Sequence, residues 1–259
     1  MSKARKKPNV VFILADDLGY GDLSAYGSEI RTPNIDSIGR QGIRFTQFYS
    51  NAPECTPTRS ALMSGQYQQR FGGLECAISI GDVGRYDEAI WLQKRGELGL
   101  PPAAITMPRI LKNNGYDTAI VGKWRLGYLP KFSPNLHGFD EFYGILGGNA
   151  DYFTHKEESD LPCFYHNGKP FEQEGYMTDL LTDRAVEWLK KRTRKPFFLY
   201  LPYTSPHLPL QGPDDKGKLP DEKSHERYRA MIERMDHGVG KVLAQLDRWA
   251  PQRTPWWFS

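Results

Sequence analysis

The chain has 259 residues, which at roughly 150 residues per domain predicts one or two domains and a sizeable core. Hydrophobic residues make up 39% and charged residues 25%, which excludes a disordered chain, a collagen-like repeat and a coiled coil. The net charge is +3, with Lys3, Arg5, Lys6 and Lys7 supplying the excess, so no concentrated basic surface for nucleic acid is expected.

Residues 1–7 are predicted to be a disordered basic head. Pro8 and Asn9 follow it. The next apolar run, Val10 to Ala15, ends in Asp16-Asp17 rather than in a small-residue cleavage site, so no export signal is expected. It is also the longest apolar run, and it falls far short of the about 20 residues that span a bilayer. No membrane span is expected, and localisation stays open.

Asn9 to Ala15, short and β-branched, is predicted as a buried strand. Asp16 to Asp22 reads as a loop. Thr32 to Gly39 reads as a short helix, with Thr32 as N-cap and Pro33 at its first position. Ile43 to Tyr49 is a strand candidate. Pro57 to Met63 suits a helix ended by Gly65, and Met107 to Asn113 a helix closed by Gly115. Tyr116 to Val121 is a strand. Thr178 to Lys191 is amphipathic, with Leu181, Ala185, Val186, Trp188 and Leu189 on one face. Pro196 to Leu201 is a further strand. Ser224 to Leu246 reads as one long helix, with a break at Gly238 or Gly240. Stretches 66–106 and 128–175, rich in Gly, Pro and Asn, read as long loops. The alternation of strands with helices predicts an α/β class with a largely parallel sheet.

In such sheets ligands bind beyond the carboxyl ends of the strands. Asp16-Asp17, Lys123 and His207 all lie at or just past such ends. Adjacent carboxylates repel unless a cation sits between them, and a hard divalent ion with oxygen ligands meets that need; a solvated acidic loop is the plain alternative. Cys55 stands before a helix whose free N–H groups, with Arg59, favour an anion near residue 55, either a thiolate or a bound oxyanion. A buried cysteine beside a capped helix is the alternative there. Lys123 can hold an anion as a point charge, or lie on the surface. If its strand runs on to Arg125, both side chains share a face. His207, stiffened by flanking prolines, can serve as a general acid or simply pack in its loop. Cys76 and Cys163 read as buried small hydrophobes. The cysteine spacing suggests neither a disulfide scaffold nor structural zinc.

Taken together, these residues resemble the formylglycine-dependent sulfatase family. Cys55-Thr-Pro-Thr-Arg59, running on through Ser60-Ala-Leu-Met-Ser-Gly65, is similar to its Cys-x-Pro-x-Arg signature. Gly115 to Gly127 is close to its second signature. Asp16 to Asp22, Thr32-Pro-Asn-Ile-Asp36 and Ser205-Pro-His207 fit as well, so the likeness runs from about Pro8 to Arg248. It implies an alkaline-phosphatase-like fold and hydrolysis of sulfate monoesters, of carbohydrates among others. A separate formylglycine-generating enzyme would convert Cys55 to formylglycine, whose hydrate is the nucleophile. Asp16, Asp17 and residue 55 would bind a divalent cation, Ca²⁺ first and Mg²⁺ second. Arg59 would stabilise the modified residue, Lys123 would grip the sulfate, and His207 would protonate the leaving oxygen. Some relatives on this fold cleave phosphoesters or phosphonates, the runner-up chemistry.

Two departures stand out. The family usually has histidine where this chain has Arg125, and arginine cannot take up a proton; it can still bind an anion. Relatives also continue with a strand, an Asp-Asn pair completing the metal site and another lysine, whereas residues 249–259 here follow no strand or helix pattern. The expectation is therefore residues 8–248 as an incomplete catalytic domain, stopped before the last core strands, with an open edge, exposed apolar surface and poor solubility. An inactive fragment or pseudoenzyme is the competing expectation. Read one base back, Trp256-Trp257-Phe258 becomes Leu, Met or Val, then Val-Val, then Phe or Leu, so a frame shift near residue 249 is expected. An Asp-Asn-Gly reading downstream in the nucleotide sequence is its test.

Overall fold

The computed structural model describes residues 7–79, 87–157, 163–192, 195–221, 223–249 and 256–258. The first strand, β1, is Val10–Leu14. Helices α1, Pro33–Gln41, and α2, Cys55–Ser64, follow. Next come α3, Asp87–Lys94, and α4, Met107–Asn113. Strands β2, Asp117–Lys123, and β3, Glu141–Ile145, lead into the short β4, Phe164–His166, and β5, Lys169–Pro170. Helix α5 is Met177–Lys190, β6 is Phe197–Pro202, α6 is His225–Trp249 and β7 is Trp256–Phe258.

The strands form one sheet in the order β5-β4-β3-β2-β6-β1-β7. From β3 to β7 every pairing is parallel, and β4 and β5 add an antiparallel edge. Both faces are covered. Ala119, Val121, Phe197, Leu199 and Leu201 pack with Leu181, Ala185, Trp188, Met231, Met235 and Val242 of α5 and α6. Ile120, Phe198 and Tyr200 point the other way, toward Met63 of α2 and Trp124, Phe139 and Phe142. Two buried faces explain why β6 reads as an unbroken apolar run rather than an alternating one. Burying each such side chain contributes about 1.5–3 kcal/mol.

Several expectations change. Residues 43–49 form no strand: Ile43, Phe45, Phe48 and Tyr49 are exposed, because no strand among the described residues lies beside them to complete a ladder. The stretches read as loops contain α3, β3, β4 and β5. Gly144 hid β3 from the pattern, yet it has a structural use. A Cβ there would stand 2.0 Å from the Gly122 carbonyl oxygen, and one at Gly122 would stand 1.9 Å from that of Pro202. Glycine at both positions, with φ of 148° and 136°, lets β3, β2 and β6 close up at their carboxyl ends.

Thr32 is the N-cap of α1 but its side chain does not cap; it bonds Ser24 and Asp36 instead. Asp236 of α6 accepts the Asn34 and Ile35 amides, supplying the missing acceptor from a distant element. Helix α6 runs unbroken. Its glycines are packing sites: Gly238 lies against Thr182 and Tyr203, and Gly240 against Asn34. Residues 256–258 pair with the outer edge of β1, whose free backbone groups accept any extended segment.

Candidate active site

The parallel strands bring three distant segments to one end of the sheet. Asp16 lies two residues past β1, Lys123 ends β2, and His207 follows β6. The Asp16 amide donates to the Ser205 carbonyl at 3.0 Å, which ties the first loop to the His207 loop. Cys55 is the first residue of α2, with Glu54 as its N-cap. Arg59 stands one turn later on the same helix face.

Asp16, Arg59 and Lys123 are all buried. The Asp16 carboxylate accepts from Arg59 Nη2 at 3.0 Å and from Lys123 Nζ at 2.5 Å. Arg59 Nη1 also donates to the Lys123 carbonyl at 2.9 Å and to the Tyr200 hydroxyl at 3.4 Å. Burial by itself would raise the Asp16 pKa. The charges of Lys123, Arg59 and His207 outweigh it and hold the carboxyl at about 2. For Lys123 burial dominates and lowers the pKa; Asp16 and Cys55 counter it, while Arg59 and Arg125 add to it. Two cations thus share one carboxylate, in a place where unpaired charge is costly.

His207 Nε2 stands 3.5 Å from Asp17 Oδ2. Its Nδ1 faces the Leu208 carbonyl at 2.8 Å, which places a proton on Nδ1. The Tyr152 hydroxyl donates to the His207 and Thr204 carbonyls and pins the loop. Asp17 adopts a left-handed φ of 61°, and its carboxylate is 64% exposed. Asp22 faces inward instead: it accepts from the Gly19 amide and the Tyr228 hydroxyl and so anchors the turn.

Arg125 corrects one expectation. Strand β2 stops at Lys123, and Arg125 takes a φ of 61°, a conformation that costs a non-glycine residue about 1–3 kcal/mol. The two cations therefore do not share a strand face. The Arg125 amide donates to the Leu146 carbonyl at 3.1 Å, and its carbonyl accepts from the Thr56 hydroxyl at 3.0 Å. Thr56 adjoins Cys55, so this turn is locked to the helix that carries the cysteine. Tyr200 and Thr56 were not singled out from the sequence. For Tyr200 the signal was available: alternation along β6 turns it to the face that α2 covers.

Among the described residues no group of three or more His, Cys, Asp or Glu side chains is arranged to hold a metal. Both Asp16 oxygens already face cations. Asp16, Asp17 and one oxygen on residue 55 fall short of the six to eight oxygens that Ca²⁺ takes. The donor set is a partial one.

The fold and this charged sheet end define a class. The chain matches the Sulfatase family over residues 8–253, and it belongs to that family. Human N-acetylgalactosamine-6-sulfatase is 31% identical over 258 residues, covering 95% of this chain and 48% of the relative. An arylsulfatase of Klebsiella aerogenes is 33% identical, over 89% and 50%. Among solved structures, Ps i-CgsB in complex with k-i-k-neocarrahexaose aligns with a TM-score of 0.79 at 35% identity, over 93% of this chain and 55% of that one. A protein of the alkaline phosphatase superfamily from Vibrio parahaemolyticus, 20% identical with a TM-score of 0.55, shares the fold. The chain spans about half the length of the curated relatives it matches.

Proposed function

We propose that this chain is the part of a sulfuric ester hydrolase that carries the nucleophile, the leaving-group acid and the main sulfate-binding cations. The observation that carries the reading is the buried Asp16–Arg59–Lys123 cluster at the sheet end, with Cys55 one helical turn from Arg59. A sulfate monoester is anionic and its charge shifts outward in the transition state. Fixed cations and a helix N-terminus in a dry site offset that shift.

Residue 55, converted from cysteine to formylglycine by a separate maturation enzyme, would supply a hydrate. One hydroxyl loses its proton to solvent, and its oxygen attacks the sulfate sulfur as the bond to the leaving alcohol breaks. Loss of the second hydroxyl's proton then breaks the C–O bond, releases sulfate and restores the aldehyde. Arg59 holds charge beside residue 55 and is itself fixed by Asp16 and the Lys123 carbonyl. Lys123 grips the sulfate. His207, whose Nε2 faces Asp17 Oδ2 at 3.5 Å, donates its Nε2 proton to the departing oxygen. Asp16, Asp17 and residue 55 are the oxygen donors offered to a divalent cation, Ca²⁺ before Mg²⁺ on its taste for flexible carboxylate shells. A bound ion would polarise the sulfate oxygens; none of the steps above depends on it. The k-i-k-neocarrahexaose bound in the Ps i-CgsB complex and the N-acetylgalactosamine-6-sulfatase relative support sulfated carbohydrate as the substrate class.

The test is to co-express the chain with a formylglycine-generating enzyme, check residue 55 by mass spectrometry, and compare hydrolysis of aryl sulfate and aryl phosphate. Faster sulfate turnover, abolished in Cys55→Ala, is expected. Faster phosphate turnover sinks the sulfatase reading in favour of phosphoester chemistry. A second reading, an anion-binding relative without turnover, is favoured by Arg125, which cannot exchange a proton. It predicts sulfate binding that Lys123→Ala abolishes, with no hydrolysis of either ester.

A further inference from the structure

The Arg125 guanidinium has no role in the chemistry above. Its Nε is buried and has no hydrogen-bond partner. Nη1 makes one long contact, 3.4 Å, to the Tyr128 hydroxyl. Among the described residues no carboxylate pairs with it. An arginine carries five N–H donors in a planar fork, and among the described residues only the Tyr128 hydroxyl meets one of them.

The guanidinium lies against Gly148. A Cβ there would stand 1.4 Å from Nη1, so glycine leaves the space that the guanidinium fills. The backbone of Arg125 is tied to Leu146 on one side and to Thr56, next to Cys55, on the other. Arg125 follows two residues after Lys123, the last residue of β2, so both cations stand at the same end of the sheet. Lys123 faces Asp16, while Arg125 turns off at the end of β2 toward Gly148 and Tyr128. Arginine cannot exchange a proton near neutral pH, so a role in proton transfer is excluded. What remains is a fixed, underused fork suited to a planar or tetrahedral oxyanion.

We infer that Arg125 binds a second anionic group of the substrate, beside the sulfate ester that is cleaved, and so selects polyanionic over monoanionic substrates. This rests on the sulfate-ester reading above. The second group is a sulfate or a carboxylate, since the fork accepts both.

The experiment is calorimetric titration of the full chain, at one fixed ionic strength, with galactose 6-sulfate, a galactose bis-sulfate, and galactose 6-sulfate linked to a uronic acid. Wild type is compared with Arg125→Gln, Arg125→His and Lys123→Ala, each checked for cooperative unfolding well above the titration temperature. Wild type should prefer at least one dianionic probe, and the preferred one identifies the second group. Both Arg125 variants should cut that preference by about ten-fold to a hundred-fold, the loss of one charge-assisted pair. Lys123→Ala should weaken all probes alike. A preference that survives both Arg125 variants overturns the inference. So does equal weakening of mono- and dianionic probes, because Arg125 would then hold the scissile sulfate. Equal wild-type affinity for all three probes overturns it too. If no probe binds wild type, or Lys123→Ala changes nothing, the sulfate-ester reading itself falls, and the inference with it.

Discussion

Two regions of the molecule invert the usual partition of residues. At the carboxyl end of the sheet Lys123 is 0% exposed, although it carries a charge, whereas Ile43 is 76% exposed, although it is aliphatic. The first is tolerable because Asp16 pairs with both Lys123 and Arg59. The second has no compensating contact among the described residues. Buried charge persists where a counter-charge meets it. Exposed apolar surface marks backbone and side chains that have found no ladder to join. The difference teaches that burial follows the available partners rather than side-chain type alone.

The comparison breaks most sharply at Asp16. Asp16→Asn leaves Arg59 and Lys123 buried without a counter-charge and should destabilise the fold by about 3–5 kcal/mol. Urea unfolding checks this, and a loss below about 1 kcal/mol would mean that the cluster is hydrated rather than dry. Leu199→Ala, in the strand between β1 and β2, should cost about 2–5 kcal/mol by opening a cavity. The same unfolding curves separate it from Asp16→Asn: the Leu199 variant should keep the acid sensitivity that the Asp16 variant loses.

That sensitivity has a defined sign. The folded Asp16 pKa, about 2, lies below the ordinary 3.8. Its contribution is therefore full above pH 4 and drains away as pH falls toward 2. It amounts to about 2 kcal/mol. Stability measured from pH 5 down to pH 2 should fall more steeply in wild type than in Asp16→Asn; parallel curves would remove Asp16 from the account. The smallest effect belongs to the exposed strip. Replacing Ile43 and Phe48 with serine should change stability by no more than about 0.5 kcal/mol each. It should reduce self-association in light scattering, because exposed apolar patches drive it. A large loss of stability would mean that the strip is packed in solution.

Much of the fold was legible locally. Strands β1, β2 and β6 and helices α2, α4, α5 and α6 follow from apolar runs, periodicity and glycine stops, signals that act over a few residues. Strand β3 was missed because Gly144 broke its pattern, and that glycine serves a contact with β2 that only the assembled sheet contains. Residues 43–49 carried a strand pattern with nothing beside it to pair. At the site, Asp16, Asp17, Cys55, Arg59, Lys123 and His207 were all singled out from motif and position. The structure brings Asp16, Arg59 and Lys123 into one cluster and His207 against Asp17.

By itself the sequence determined the α/β class, the family and which residues gather at the carboxyl end of the sheet, because strand direction and motif spacing are properties of short segments. Only the tertiary structure decided that Lys123 and Arg59 share the Asp16 carboxylate and that Arg125 turns away with its fork unfilled. Those outcomes depend on the order β3-β2-β6-β1, which sets residues 107 positions apart in bonding contact. They depend equally on a left-handed turn held by Leu146 and Thr56, and no local pattern encodes either partner.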